Sequence, residues 1–340
     1  MTSSRPCRLI FLTAIVVATS SFVTFAHAAD LGSLPSQAPA QKWTGFSLGV
    51  GGGVGSLNAD VNSKASRTDG VGCAPNSNGC PPDVVLREID QDYSSHFSDL
   101  GGTGGFFTLQ GAYDYQFAPR WVGGAFVDAD WSNISANAKQ TSNSSVSFVC
   151  PSDDCEDDPA GSFSSSNGTI RTKISTDWNV SVGGRIGWLA NPDTLLYFLA
   201  AYTHADLGDA KVNVNIPDPS DLISVVLGGS PGNSPFPNSP TSLSVKLPDS
   251  LDGWSLGGGG EARVGGPWSV KLEYRWTHLE GGSGHTTSDK SQCCFDGKDS
   301  GAQMFRDVSS NASGNLDLDE QTVRGALVYH FWSGGGSYGG

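Results

Sequence analysis

In residues 121–131, WVGGAFVDADW, two tryptophans stand ten apart and bracket a regular alternation. Odd positions are Trp121, Gly123, Ala125, Val127, Ala129 and Trp131; even positions are Val122, Gly124, Phe126, Asp128 and Asp130. A period of two marks a strand whose two faces meet different surroundings. One face here is small or apolar and ends in indoles, while the other carries two carboxylates.

The same arithmetic recurs. In FFTLQGAYDYQF, 106–117, the odd positions Phe107, Leu109, Gly111, Tyr113, Tyr115 and Phe117 alternate with Thr108, Gln110, Ala112, Asp114 and Gln116. WSVKLEYRWTHLE, 268–280, sets Trp268, Val270, Leu272, Tyr274 and Trp276 against Ser269, Lys271, Glu273, Arg275 and Thr277. DWNVSVGGRIGWLA, 177–190, sets Trp178, Val180, Val182, Ile186 and Trp188 against Asn179, Ser181 and Arg185. Adding the segments that start at 43, 195, 254 and 322 makes eight strands. Their connections alternate between long polar stretches and the short pieces APR at 118–120, NPDT at 191–194 and GGP at 265–267. Even strand number, tight turns at one end and long loops at the other predict an all-β fold. It is an eight-stranded antiparallel transmembrane up-and-down β-barrel over 43–332, with long extracellular loops and short periplasmic turns.

Tryptophan spacing serves as a ruler. Trp121 to Trp131 and Trp178 to Trp188 are ten residues apart, about 33 Å along a strand and about 25 Å along the axis at the usual tilt, which is the height of the apolar band. Indoles prefer the interface because the ring is apolar while its N–H seeks water or headgroups. Trp43, Trp121 and Trp268, with Trp188 and Phe331, are therefore assigned to a periplasmic girdle, and Trp131, Trp178, Trp254 and Trp276 to an outer one. Closure is compulsory, because an open sheet edge in hydrocarbon leaves backbone groups unsatisfied.

The opposite faces point into the bore. They bring Asp114, Asp128, Glu261 and Glu273 together with Arg185, Arg263, Lys271, Arg275 and Arg324. A bore of eight strands is only wide enough for side chains, so these charges are expected to interlock as ion pairs. The alternative is a narrow diffusion path for ions or small solutes, its selectivity set by the same residues.

Composition agrees with a surface protein of the envelope. Glycine supplies 45 of 340 residues and disfavours helices, and a net charge of −14 argues against a nucleic-acid partner. Arg5 and Arg8, an apolar run and AHA at 26–28 read as a signal peptide over 1–28, followed by a periplasmic lead over 29–42 and a Gly-rich tail over 333–340. The competing reading, a spanning anchor, is opposed by the run's shortness and the small-residue cleavage site. Six cysteines remain. Their spacing favours local disulfides, Cys73 with Cys80 and Cys150 with Cys155, while adjacent Cys293 and Cys294 resist assignment. A metal site lacks a CxxC pair or a nearby histidine cluster, and neither metal nor cofactor is expected.

The segments WTGFSLGVGGG, LLYFLAAYTHADLG, GPWSVKLEYRWTHLEGG and TVRGALVYHF together resemble the small outer-membrane immunogenic protein family, eight-stranded barrels of the OmpA and opacity-protein type. The resemblance covers nearly all of 43–332 and implies a porin-like protein of the outer membrane. It also implies that Tyr329 and Phe331 supply the aromatic ending read by the barrel-assembly machinery. Trp332 and SGGGSYGG continue beyond the family's usual end, and the loops are longer than its pattern.

Three further motifs carry competing readings. Some barrels of this size are lipid-modifying enzymes using His, Ser and an acid at the outer rim; His204, His278 and His285 lie there without a recognisable serine pairing. The acidic run CPSDDCEDDPAG, 150–161, lacks the alternating oxygen spacing of a calcium loop. GGGGEA, 257–262, matches a nucleotide-loop string formally, but RVGGPW follows where a helix is needed. The expected partners are outer-membrane lipid and lipopolysaccharide, with the polar loops as the place for an extracellular ligand. The expected role is structural or surface-interacting, with no catalysis.

Overall fold

Alternation of side chains produces a closed ring in the computed structural model, which describes residues 43–73, 85–149, 162–219, 223, 236–296 and 303–332. Apart from the helical Ile223, the regular elements among them are strands: β1 (Gly45–Cys73), β2 (Val85–Ala118), β3 (Trp121–Ser132), β4 (Ser135–Val149), β5 (Ser162–Asn191), β6 (Thr194–Ile216), β7 (Thr241–Lys246), β8 (Ser250–Gly265), β9 (Trp268–Asp296) and β10 (Gln303–Trp332). Pairing is antiparallel throughout and runs β1–β2–β3–β5–β6–β8–β9–β10 and back to β1, an eight-membered ring. The two extra segments prolong the wall: β4 fills the space between β2 and β5 beyond the end of β3, and β7 pairs with β6 beyond β8.

The ruler appears in the register. Trp121 lies opposite Trp188 and Trp131 opposite Trp178 on adjacent strands, so the two ten-residue spans coincide. Outward residues between them are apolar and exposed, among them Leu48, Val50, Leu109, Val127, Val182 and Leu272. The tight connections sit at one end, where Gly266 with φ +57° makes the turn from β8 to β9 in a conformation that a β-carbon disfavours.

One expectation requires correction. Much of what reads as long polar loop is strand: β1 runs on to Cys73, β6 to Ile216 and β9 to Asp296, while β2 starts at Val85, β5 at Ser162 and β10 at Gln303. These extensions build a second tier with the opposite polarity. Its interior is an apolar core containing Leu57, Val61, Ile134, Ile174, Val214 and Leu318, and its exterior carries Asn58, Asp60, Asn62 and Lys64. Water replaces lipid outside this tier, so the burial that lipid makes unnecessary lower down again drives packing here. On β1 the exchange happens without breaking the period: odd residues face inward on both sides, and outward Val54 gives way to Ser56. On β2, β5, β6 and β9 an extra residue intervenes, marked by register shifts between Ala59 and Val61, around Thr176, and between Leu316 and Leu318. Bulges of this kind gather at barrel rims, where a strand changes what its faces meet.

The expected signal, lead and tail segments, the acidic run 150–161, and Cys80, Cys150 and Cys155 lie outside the described residues, as do the side chains of Cys73, Cys293 and Cys294.

Candidate functional site

Inward positions of the lower tier converge on one polar network. Arg275 on β9 donates Nη1 and Nη2 to the two oxygens of Asp128 on β3 at 3.1 and 2.8 Å, and Nη2 also to Glu273 at 2.8 Å. Arg324 on β10 reaches Asp130 at 3.0 Å and lies 3.5 Å from Glu273. Arg185 on β5 grips Asp114 on β2 through Nε and Nη2, and its Nη1 lies 3.3 Å from Glu261 on β8. Lys271 pairs with Glu273 at 3.3 Å and donates to the side-chain oxygen Oε1 of Gln110. All eight of these charged residues that the alternation assigned to the bore are buried; Arg263, the ninth, is half-buried.

Small residues make room for this network. A β-carbon on Gly124 would overlap Asp114 Oδ1, and one on Gly259 would stand 2.8 Å from the Tyr197 hydroxyl. That hydroxyl donates to Glu273 at 2.8 Å. The glycine run 257–260 thus lies in the middle of β8 and clears space inside a crowded tube.

Several participants escaped the sequence reading. His330 Nε2 lies 2.8 Å from Glu261 and 3.0 Å from Ser269, and Glu320 is buried opposite Leu57 and Thr277, where the charged tier meets the apolar one. Asp319 and Gln321 beside Glu320 gave no contrast, and His330 sits inside the aromatic ending, where it reads as one more ring. Beyond the apolar core on β1 and β10 lies a second buried cluster. Asp69 joins Arg67 at 2.8 Å and Arg306 at 2.7 Å, and Arg306 also holds Asp218 from the segment after β6. Burial depresses the Arg306 guanidinium, but hydrogen bonding to Asp218 and attraction to Asp69 outweigh it and raise the group.

Trp43 departs from its assigned girdle. It is 2% exposed and turned into the periplasmic mouth, donating Nε1–H to the Pro192 carbonyl at 3.0 Å. Arg263 stacks over its ring at 4.5 Å and His330 meets its edge at 5.7 Å. The reason is position: Trp43 precedes the first paired residue, Gly45, so the alternation of the strand does not yet bind it. A cleft of about 10 Å³ lies beside it, at most the space of one water. The other girdle residues face outward, with Trp254 edge-on to Trp276 at 4.9 Å and Tyr329 to Phe331 at 4.9 Å.

The rim histidines find carboxylates. His204 Nδ1 lies 2.7 Å from Asp252, which also accepts from Tyr202, and His278 Nδ1 lies 2.8 Å from Asp319. His285 stands opposite Ser313 on β10.

A sequence profile described as outer membrane protein beta-barrel domain matches residues 18–331. A search among curated proteins found no match. Similar solved structures include the outer membrane protease OmpT of Escherichia coli, at 13% identity over 84% of this chain and 97% of that one with a TM-score of 0.34. Others are OprG of Pseudomonas aeruginosa, at 10% identity over 85% and 98% with 0.32, and Ail of Yersinia pestis, at 13% over 78% and 98% with 0.21. Since the family profile spans most of the chain, the protein belongs to the outer membrane protein beta-barrel domain family and resides in the outer membrane.

Proposed function

We propose that the protein is a structural, surface-displaying outer-membrane barrel whose bore is closed to solutes and whose walls carry no catalysis. The supporting observation is the pair Arg275 and Asp128, which bond directly although β9 and β3 stand on opposite sides of the ring. A water-filled path leaves no room for such a bridge. The apolar core above and Trp43 below close the same axis twice more. Outer-membrane lipid and lipopolysaccharide surround the lower tier in this reading, the assembly machinery engages the ending at Phe331, and an extracellular ligand meets the outer tier. At that tier's far end, Thr68, Glu88, Asp289 and Asp307 line a cleft of about 640 Å³.

Planar-bilayer recording tests the proposal. The wild type is expected to give no reproducible conductance steps, and Asp128→Ala with Arg275→Ala is expected to open some. Wild-type steps that change with Arg185 or Glu273 substitution would instead establish a diffusion channel.

A further inference from the structure

One seam of the upper tier is not laddered. β8 and β9 pair only up to Asp252 opposite Glu280, yet β9 continues to Asp296 with β10 bonded along its other side. β7 resumes the descending line above β8 and, among the described strands, bonds to β6 alone. Pro248 stands in the break. It has no N–H to offer a ladder, and a β-carbon on Gly282 would overlap its ring. From Gly281 to Gln292 the side of β9 away from β10 therefore has no backbone partner among the described residues. Burial agrees: every second residue of β10 from Arg306 to Leu318 is buried, whereas none of β9 from Glu280 to Gln292 is. Unused N–H and C=O groups on an exposed edge are a template for another strand.

The edge is its own complement. His285, Thr287 and Asp289 lie on its exposed outward face. An antiparallel strand of the same sequence centred on Thr287 sets His285 of each copy against Asp289 of the other, Ser283 against Ser291 and, on the inner face, Thr286 against Ser288. Moving the register by two residues puts Asp289 opposite Thr287 or Ser283 and loses both histidine–carboxylate pairs. The His285 imidazole has no partner among the described residues, and Asp289 accepts from the Ser309 hydroxyl at 2.8 Å through one oxygen only.

Geometry fixes how two copies stand. An antiparallel ladder has its twofold axis perpendicular to the sheet, and in a barrel wall that direction lies in the plane of the membrane. The second copy is therefore inverted and sits in a facing membrane. A twofold along the membrane normal would cross the two edges at about 80°, twice the strand tilt, which is no ladder at all. Heights agree. Thr287 lies eleven residues beyond Trp276, one of them taken up by the bulge near Glu280. That is about 33 Å along the strand and about 25 Å above the outer indoles, so two barrels joined there hold their indole planes about 50 Å apart. β9 ends at Asp296, about 45 Å above the same plane, and each tip reaches the facing headgroups without entering hydrocarbon.

We infer that the upper edge of β9 binds the same edge of a second copy in a facing membrane, continuing one sheet into the other and holding two envelopes together. The inference names a partner for the outer tier and so rests on the surface-displaying part of the proposed function, not on the closed bore. One such ladder is short, and many copies between two surfaces supply the avidity.

The test inserts the full chain, outer tier outward, into two batches of phosphatidylcholine vesicles carrying different dyes, and follows joint diffusion of the colours by fluorescence cross-correlation. Wild-type batches are expected to co-diffuse several-fold more than protein-free ones. H285D sets carboxylate against carboxylate and D289K sets imidazole against ammonium, so each variant alone is expected to fall to the protein-free level. Mixed together, H285D vesicles and D289K vesicles are expected to recover the wild-type signal, because each then meets its opposite. If D289K does not fold, D289H takes its place. Dispersed wild type, either variant alone clustering like the wild type, or a mixed sample that stays dispersed overturns the inference. So does equal clustering of wild-type vesicles with protein-free ones, which makes lipid the partner. Planar-bilayer recording of the same preparation reports on the bore separately: a wild type that is silent and does not cluster removes this inference and leaves the closed barrel standing.

Discussion

Arg275 and Asp128 form a two-point ion pair across the full width of the barrel, with Nη1 and Nη2 at 3.1 and 2.8 Å from the carboxylate oxygens. Both residues are 1% exposed. Removing Asp128 leaves the buried Arg275 with half of its carboxylate partners, Glu273 alone, away from water. Asp128→Ala is therefore expected to lower unfolding stability by about 3–5 kcal/mol, measured by urea titration in detergent, whereas replacing both partners with apolar residues of similar volume recovers much of the loss. Equal damage from the single and double changes would show that the pair contributes nothing beyond filling space.

The outward belt sets a second expectation. Val182→Arg or Leu272→Arg puts a cation against hydrocarbon and should cost about 2–4 kcal/mol of folding free energy in vesicles. Asn311→Arg, on the outward face of the upper tier, should change stability by no more than about 0.5 kcal/mol. Comparable losses at both heights would mean that the tier boundary is misplaced.

Trp43 and Trp131 should separate in a quenching experiment. Lipids brominated along the chain are expected to quench Trp131, which is 49% exposed, and to spare Trp43, which is 2% exposed. Variants that each retain one of the two indoles provide the reading. A quenched Trp43 would return it to the periplasmic girdle.

The apolar upper core is expected to behave like the interior of a water-soluble barrel. Ile174 is fully buried there. Ile174→Ala should cost about 2–5 kcal/mol and increase exchange of backbone amides in the upper halves of β5 and β6. If the exchange spread equally into the membrane tier, the two cores would be a single cooperative unit.

Asp209 gives a pH signature. Hydrogen bonds from Lys173 and Lys211 hold its carboxyl down at about 2, against an ordinary value near 4. The folded state thus favours the ionised form: the contribution is complete above the ordinary value and disappears as pH falls through about 2. Carboxyl-detected magnetic resonance should find this depressed titration at low salt. Lys173→Gln with Lys211→Gln should move it back toward 4.

How much of this was legible depended on contrast. In the membrane tier the contrast is steep: Leu272, Tyr274 and Trp276 against Lys271, Glu273 and Arg275 leave a single assignment of faces. In the upper tier the same period is present, as in KVNVNI at 211–216 or LNADV at 57–61, but outward serine, asparagine and glycine have the composition of loops. Inward alanines such as Ala59 and Ala65 dilute it further. Trp43 misled for another reason, since a spacing rule holds only where strand pairing imposes it. The cross-strand meetings of Lys173, Lys211 and Lys246 depend on register between segments that chain order cannot align.

The reversal of polarity between the tiers also limits vertical movement. A barrel with a uniform coat can ride higher or lower to suit a thicker or thinner bilayer. Here a downward slip would draw Asn58 and Asp60 into oil, and an upward one would lift Val50 and Val54 into water. Hydrophobic mismatch must then be absorbed by lipid thinning or stretching around a fixed waterline. The protein acts as a draught mark that the surrounding leaflet is obliged to meet.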